Sequence, residues 1–231
     1  MNENKLIIVI GAYGSGKSEY SINLAKKYRD EDHSVALCDL DVVNPYFRSR
    51  DVREEFAELG IDVVAPEGEY KHADLPMISP RVRGMILKTD KTVILDVGGD
   101  PTGARALGRF VAEIKKRGYE MHFVVNTNRP FTSNNIEIQQ MLEMIESVST
   151  LKVTEIVCNT NLMEYTDKDV VAKGVGIITE VAEELNLIFD KYLVLDKFED
   201  IVPDNLGNKK RVILSYFLNK PWEQKFIYKG I

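Results

Sequence analysis

A glycine-rich segment near the start of the chain limits the possible folds more than any other feature. Residues 11–18 read GAYGSGKS, which fits the pattern G-x-x-x-x-G-K-[ST]. The apolar run Leu6–Ile10 precedes this segment, and the amphipathic stretch Lys17–Arg29 follows it. Glycines let successive backbone N–H groups turn toward one anion, and the positive end of a helix dipole points at the same place. The segment therefore predicts a strand, a phosphate-binding loop and a helix in direct succession.

Composition excludes several classes of protein. The chain has 231 residues, with 30 Lys and Arg against 36 Asp and Glu, so its formal net charge is −6. No apolar run approaches the roughly 20 residues of a membrane span, and the mixed-charge N-terminus is unlike a secretory signal. Cys38 and Cys158 both lie in apolar runs, which argues against a disulfide framework. We therefore expect a cytoplasmic protein that is not embedded in a membrane and that binds no nucleic acid through a basic surface.

Strand-like and helix-like segments alternate along most of the chain. Most apolar runs are continuous, which is typical of parallel strands covered on both faces. The predicted strands are Leu6–Ile10, Val35–Leu40, Ile61–Val64, Thr92–Val97, Met121–Asn126, Glu155–Asn159 and Tyr192–Leu195. The predicted helices are Lys17–Arg29, Arg48–Leu59, Ser79–Lys88, Gly103–Arg117, Asn134–Val148 and Asp169–Leu185. We expect a single α/β domain over residues 1–231, with three α/β/α layers and a mostly parallel sheet of about seven strands.

The C-terminal stretch mixes basic and apolar residues. We expect residues 205–231 to contain an appended helix that docks on the sheet. A helix that binds a membrane surface is the alternative.

Acidic residues follow two of the predicted strands. The fourth strand ends in LDVGG, which contains Asp96 and Gly99. An apolar run ending in Asp is typical of a carboxylate that holds Mg²⁺ beside bound phosphates. The D-x-x-G spacing places the backbone N–H of Gly99 where it can sense a terminal phosphate. The alternative for Asp96 is a helix N-cap for the segment near Gly103.

The second predicted strand ends with Asp39 and Asp41. Residues i and i+2 of an extended chain face the same way, so both carboxylates project together from one strand end. Two such charges repel each other unless a cation shares them. This favours a role for Asp39 in the magnesium shell and for Asp41 beside the attacking nucleophile. The alternative is a pair of ordinary turn acids before Asn44 and Pro45.

These residues define a predicted nucleotide site. Lys17 would reach the β- and γ-phosphates and the Ser18 hydroxyl would ligate Mg²⁺. The predicted magnesium ligands are Ser18, Asp39 and Asp96, and the predicted catalytic residues are Lys17, Asp39 and Asp41. The residues predicted to bind the nucleotide from the loop and the fourth strand are Gly11, Gly14, Ser15, Gly16, Lys17, Ser18, Glu19 and Gly99.

The phosphate loop, the Asp39/Asp41 pair and the Asp96-x-x-Gly99 segment resemble the motifs of MinD/ParA/Mrp-type ATPases. These proteins belong to the signal-recognition, MinD and BioD class of P-loop NTPases, and the resemblance covers residues 5–200 approximately. It implies that Asp39 supports Mg²⁺ and that Asp41 positions the hydrolytic water. The family has a second lysine just after the first glycine, which reaches across a nucleotide-bound dimer, whereas this chain has Ala12. The chain also lacks a C-x-x-C pair, which disfavours an Mrp-like iron–sulfur scaffold.

Two predicted strands end in identical triplets, Asn126-Thr127-Asn128 and Asn159-Thr160-Asn161. An asparagine side chain offers both a donor and an acceptor, which suits the edge of a purine. In the resembled family an asparagine at the end of the later strand contacts adenine, so the resemblance implies that role for Asn159. Asn126 is expected to form a turn instead. The chain has no N-K-x-D guanine motif, which favours ATP over GTP.

Arginines and a proline-rich segment lie near the predicted loops. The arginines are Arg48, Arg50, Arg81, Arg83, Arg105 and Arg109, and the segment Pro66–Pro80 has no clear period. Arginine forks recognise phosphate and carboxylate, so we expect at least one of them to contact nucleotide, substrate or partner. The alternative for each arginine is an exposed charge on a helix surface.

The function that these features favour is Mg-dependent binding and hydrolysis of ATP by a nucleotide switch or assembly factor, with a protein partner or a homodimer. Two alternatives stay open. One is a small-molecule kinase or ATP-dependent ligase, in which the arginines and Pro66–Pro80 would hold a small-molecule acceptor. The other is an ATP-sensing adaptor that does not hydrolyse its nucleotide.

Overall fold

The computed structural model describes residues 4–41, 53–65, 78–99 and 101–218, which form one sheet flanked by helices. The strands are β1 Leu6–Gly11, β2 Val35–Leu40, β3 Ile61–Val64, β4 Thr92–Val97, β5 Glu120–Val125, β6 Glu155–Cys158, β7 Lys191–Leu195, β8 Asn205–Leu206 and β9 Lys209–Leu214. The helices are α1 Lys17–Asp30, α2 Arg53–Glu58, α3 Arg81–Leu87, α4 Pro101–Leu107, α5 Val111–Arg117, α6 Asn135–Ser149 and α7 Lys168–Leu185.

Within these ranges the strand order is β3-β2-β4-β1-β5-β6-β7-β9-β8. Every neighbouring pair is parallel except β8 and β9, which are antiparallel. The predicted three-layer α/β/α fold with a mostly parallel sheet is confirmed. Because β1 lies between β4 and β5, the loop that follows β1 adjoins the loops that follow both neighbours, at the edge where α/β proteins bind ligands.

Side chains of the central strand β1 pack into the cores on both faces of the sheet. Leu6, Ile8 and Ile10 join the core beneath α3 to α7, whereas Ile7 and Val9 join the core beneath α1 and α2. All five side chains are at most 2% exposed. Each such burial contributes about 1.5–3 kcal/mol, so β1 and the loop after it rest on a rigid base.

The C-terminal prediction is wrong for residues 205–214. These residues form β8 and β9 rather than a helix, and β9 extends the sheet by pairing with β7 in parallel. Val212, Ile213 and Leu214 give β9 the β-branched and apolar character of a strand. The sheet therefore has nine strands in the described part of the chain instead of about seven. Residues 219–231 lie outside the described residues.

The predicted helix Gly103–Arg117 is divided into two. Helix α4 ends at Leu107, a 3₁₀ turn covers Gly108–Phe110, and α5 begins at Val111. Glycine is a poor helix former, and the break falls at Gly108. Of the predicted helix Arg48–Leu59, residues 48–52 lie outside the described residues, and α2 covers Arg53–Glu58.

Polar and charged side chains link the strands near their amino-terminal ends, on the side of the sheet away from the phosphate loop. His122 is buried, its Nδ1 lies 3.1 Å from the Tyr20 hydroxyl, and its Nε2 lies 3.5 Å from Glu120 and 3.6 Å from Glu155. Lys5 pairs with Glu120 at 2.7 Å, and this contact raises the pKa of Lys5. These contacts link the start of β1 to β5 and β6.

Two further observations bear on the predictions from composition. Cys38 and Cys158 are both buried and free, and burial raises their pKa values to about 12 and about 11. In the part of the chain that the structure describes, none of the helices has the length and apolar character that crossing a bilayer requires.

Candidate functional site

The loop between β1 and α1 has the backbone geometry of an anion cradle. Gly14 and Gly16 adopt positive φ angles of 73° and 87°, which glycine reaches without strain. A Cβ on Gly11 would lie 2.2 Å from the Val124 carbonyl oxygen, so a larger residue does not fit beside β5. Helix α1 begins at Lys17, and Gly16 has no side chain to cap it. The first N–H groups of α1 are therefore available to an anion.

The Lys17 side chain folds back over this loop and meets the segment after β4. Its Nζ donates to the Ala12 carbonyl oxygen at 3.5 Å. A Cβ built on Gly99 would lie 2.7 Å from Lys17 Nζ and 2.8 Å from the Tyr13 nitrogen. The structure thus brings Gly99 against the phosphate loop, as the D-x-x-G spacing predicts, and only glycine fits there.

Three carboxylates converge beside Lys17. Asp39 on β2 and Asp96 on β4 are directly opposite each other in the strand register. The Asp41 backbone N–H donates to Asp39 Oδ1 at 3.0 Å, which turns the chain at the end of β2. All three residues are at most 2% exposed. This placement brings the predicted carboxylates together, and the bond between Asp41 and Asp39 also has the form of a turn, so the metal-binding role of the group stays a prediction.

Asp96 occupies an unfavourable environment for a carboxylate. Burial raises its pKa to about 7, the charge of Asp39 adds to this, and Lys17 acts in the opposite direction. Ser21 Oγ donates to Asp96 Oδ1 at 3.3 Å, while Oδ2 is buried with no hydrogen-bond partner in the described ranges of the chain. A helix N-cap accepts backbone N–H groups of its own helix, and no such bond to Asp96 is found among the described residues, so the structure gives no support to the N-cap alternative.

The donor set suits magnesium more than a softer metal. Asp39, Asp96 and Ser18 offer only oxygen atoms, which are the ligands that Mg²⁺ prefers. Within the described ranges, no three His, Cys, Asp or Glu side chains form a group that could hold a metal ion by themselves. Mg²⁺ in nucleotide sites usually takes one or two carboxylates and completes its shell with water and phosphate oxygens. The residues present therefore fit a magnesium ion that arrives with its nucleotide.

Asn159 lies behind the phosphate loop. Its Nδ2 donates to the Ser15 carbonyl oxygen at 2.7 Å, and a Cβ on Gly16 would lie 2.2 Å from the same nitrogen. The side chain is buried. The expected contact between Asn159 and a base finds no support in this placement, because the amide nitrogen is bonded to the backbone of the loop.

The two Asn-Thr-Asn triplets lock the ends of β5 and β6 together. Asn126 Oδ1 accepts from the Asn128 N–H at 3.0 Å, and Asn126 Nδ2 donates to the Asn161 carbonyl oxygen at 3.3 Å. The Thr127 and Thr160 hydroxyls are 3.1 Å apart. The repeated triplet is therefore a cross-strand clasp, and Asn126 forms the turn that the sequence predicts.

Glu19 faces away from the phosphate loop and holds the C-terminal segment. Its carboxylate accepts from the Phe217 N–H and, at 3.3 Å, from the Leu218 N–H. Burial raises the pKa of Glu19 to about 7, against the lowering effect of these two bonds. Asn23 forms two further bonds with the Ser215 backbone, at 2.8 and 2.9 Å. These contacts place the Glu19 carboxylate against residues 215–218, so the predicted nucleotide contact of Glu19 would have to come from its backbone N–H in the first turn of α1.

The predicted arginines take several positions. Arg81 pairs with Asp62 at 3.0 Å, and Arg83 pairs with Glu113. Arg105 and Arg109 are exposed. Arg48 and Arg50, and residues 66–77 of the proline-rich segment, lie outside the described residues. Among the described arginines of this set, the placement agrees with surface charges and helix–helix pairs.

Sequence reasoning missed Arg129, which lies four residues after the end of strand β5. A Cβ on Gly14 would lie 3.4 Å from Arg129 Nε and 3.7 Å from Arg129 Cζ. No local motif marks this arginine. The signal that could have found it is the predicted adjacency of β1 and β5, which places the loops after both strands side by side.

Comparisons with known proteins identify the fold and no more. No protein-family model and no curated protein matches this sequence. Cell division protein FtsY from Thermotoga maritima is 22% identical with a TM-score of 0.58, over 87% of this chain and 65% of that one. Chloroplast FtsY from Physcomitrella patens is 16% identical with a TM-score of 0.60, over 90% and 64%. The 54 kDa signal recognition particle protein of Aeropyrum pernix K1, in complex with GDP, is 17% identical with a TM-score of 0.53, over 90% and 43%.

The chain spans less than two thirds of the length of each of these structures. At such identities the likeness shows the fold, which is the three-layer P-loop fold that the sequence predicts.

Proposed function

We propose that this protein binds Mg-ATP at the loop Gly11–Ser18 and hydrolyses it as a nucleotide switch. The observation that carries the proposal is the buried Asp39 and Asp96 pair beside Lys17. Burying two neighbouring carboxylates is unfavourable unless a cation is bound there during function. The GDP complex of the Aeropyrum protein supports a nucleotide as the ligand class, and the lack of an N-K-x-D motif favours ATP.

Each residue of the site has a role that follows from its chemistry. The N–H groups of the loop and the Lys17 ammonium bind the phosphate oxygens. Ser18, Asp39 and Asp96 would hold Mg²⁺, which when bound supplies neutralisation of the phosphate charge. Asp41 accepts a hydrogen bond from the attacking water and orients it. We expect slow turnover in isolation and acceleration by a protein partner or a second copy of the chain.

Binding measurements test the nucleotide assignment. Lys17→Ala should weaken Mg-ATP binding at least tenfold in calorimetry, because a charge-assisted contact with phosphate is lost. Lys27→Ala removes an exposed lysine from the same helix and should leave the affinity unchanged. Equal affinity of wild type and Lys17→Ala for Mg-ATP contradicts the phosphate site, and equal affinity of wild type for GTP and ATP contradicts the base preference.

Turnover measurements test the switch. Phosphate release from ATP by wild type should exceed that of Asp41→Asn by about 10²–10⁴-fold, the usual contribution of a positioned acid–base group. Wild-type release that begins only when a metabolite is added points to a kinase or ligase instead. Binding of ATP without any release of phosphate points to an ATP-sensing adaptor.

A further inference from the structure

Arg129 places a guanidinium group on the phosphate loop from a neighbouring strand. The Nε, Cδ and Cζ atoms lie 3.4 to 3.7 Å from the Cβ position of Gly14. Gly14 has a φ of 73° and forms the turn of the loop before Gly16. The arginine therefore contacts the turn of the phosphate loop at Gly14, and it belongs to the same chain.

The turn that carries Arg129 is held by several buried polar groups. The Arg129 N–H donates to the Asn126 carbonyl oxygen at 3.1 Å, and Thr132 Oγ1 donates to the same oxygen at 2.9 Å. Asn126 and Thr132 are fully buried. Pro130 restricts the backbone of Arg129 to extended conformations. The side chain is therefore presented from a fixed base.

Phe131, the second residue after Arg129, shows that this turn has an unfavourable local conformation. Its φ is 68°, a region that bulky residues rarely adopt, and the residue is 70% exposed. Backbone strain of this kind collects at ligand-binding loops, where the surrounding structure maintains it. Because Phe131 is exposed, packing of its ring does not hold the residue in this conformation. The hydrogen bonds to the Asn126 carbonyl oxygen hold the turn instead.

The Arg129 guanidinium is incompletely satisfied. Its Nε is buried and has no hydrogen-bond partner among the residues that the structure describes. A buried donor without a partner is rare in folded proteins and calls for an explanation such as a missing ligand. Arginine presents several donors in a planar fork that matches phosphate oxygens. The phosphate loop, which Arg129 contacts at Gly14, is the neighbouring part of the fold that would bind phosphate.

Charge balance points to the same ligand. Asp39, Asp41 and Asp96 lie together beside Lys17, and a bound nucleoside triphosphate would add several negative charges. Residue 12 of the loop is alanine and contributes no charge. A second cation on the loop would offset part of this excess.

We propose that Arg129 binds the phosphate chain of the nucleotide held by its own phosphate loop. This inference rests on the proposed function and adds to it a phosphate-binding residue that no motif marks. The arginine contributes affinity for the phosphates from within one chain, without the help of a second copy.

The test compares nucleotide affinity with the stability of the nucleotide-free protein. Arg129→Met keeps the apolar stem that packs on the loop but removes every donor. We expect its Mg-ATP affinity in calorimetry to fall about 10- to 100-fold, the usual loss for a hydrogen bond to a charged group. We expect the melting temperature without nucleotide to stay the same or rise, because the change removes a buried donor that none of the described residues pairs with.

Two further variants sharpen the test. Arg129→Lys keeps the charge but not the fork, and its affinity should lie between those of wild type and Arg129→Met. Lys173→Met removes one exposed positive charge from α7, and it should leave the affinity unchanged. Inorganic tripolyphosphate should displace a fluorescent ATP analogue from wild type at lower concentration than from Arg129→Met, because the proposed contact is with phosphate.

The outcomes separate this inference from the proposed function. If wild type binds Mg-ATP and Arg129→Met binds it equally well, only the role of Arg129 is overturned. If Arg129→Met loses affinity and melts at a lower temperature without nucleotide, Arg129 supports the loop structurally and the inference is overturned as well. If wild type binds no nucleotide, the proposed function fails and the inference fails with it.

Discussion

Replacing Asp96 by asparagine should stabilise the protein in the absence of metal and nucleotide. The folded structure raises the pKa of Asp96 from 3.8 to about 7 through burial and the charge of Asp39. One pKa unit corresponds to about 1.4 kcal/mol, so the ionised carboxylate destabilises the folded state by up to about 4 kcal/mol above pH 7. Asparagine keeps an oxygen for the Ser21 hydroxyl and has no charge to bury.

The pH dependence gives the prediction its sign. The folded state binds the Asp96 proton more tightly than the unfolded state does. The free energy of unfolding of wild type therefore falls as the pH rises from about 4 to about 7. The stability gained in Asp96→Asn should therefore be about 2–4 kcal/mol at pH 8 and about 1–2 kcal/mol at pH 5. Glu19 titrates in the same range, since its pKa is also raised to about 7. Because wild type and variant both contain Glu19, its contribution cancels when their free energies of unfolding are subtracted.

Urea unfolding with a chelator present measures this difference at both pH values. Asp30→Asn serves as a control, because Asp30 is an exposed partner of Lys26 and such pairs are worth less than about 1 kcal/mol. Saturating Mg-ATP should reverse the order, since only wild type gains the full stabilisation from binding. A variant that is no more stable than wild type at pH 8, or whose gain is the same at pH 5, would refute the argument that Asp96 is a destabilised metal ligand.

Three further predictions follow from contacts around the site. Gly16→Ala should weaken Mg-ATP binding at least tenfold in calorimetry, because its Cβ would lie 2.2 Å from Asn159 Nδ2 at a φ of 87°; unchanged affinity would show that the loop adapts. Thr160→Val removes the acceptor of the Thr127 N–H and should lower the free energy of unfolding by about 1–3 kcal/mol, as measured by urea unfolding, whereas an unchanged value would argue against the clasp. Glu19→Ala should speed proteolysis near residues 215–218, and equal cleavage rates in wild type and variant would show that Glu19 does not hold this segment.

Much of the fold is predictable because burial leaves a direct pattern in the sequence. Strands β2, β3 and β4 are predicted to the residue, since each is a short, mainly apolar run that a single aspartate interrupts. The segment Lys209–Leu214 escapes this rule. It begins with three basic residues and lies near the sheet edge, where one-sided exposure blurs the pattern that central strands show. Its helical interpretation was wrong for that reason.

The candidate site also contains some residues that local sequence patterns predict and others that they do not. Lys17, Asp39 and Asp96 belong to local motifs, and the structure brings them together as their strand ends predict. Arg129 belongs to no motif, because its position depends on which strand is the neighbour of β1. The placement of Asn159 could not be predicted for a related reason: the sequence shows an amide at a strand end but not which backbone atoms lie above it.

The attachment of residues 215–218 to α1 has a consequence for how this protein can vary. Glu19 and Asn23 bind main-chain atoms of Ser215, Phe217 and Leu218. Any amino acid except proline offers the same N–H group, so these bonds place little constraint on the side chains of the segment. The helix that begins in the phosphate loop can thus keep its attachment while the segment changes in sequence.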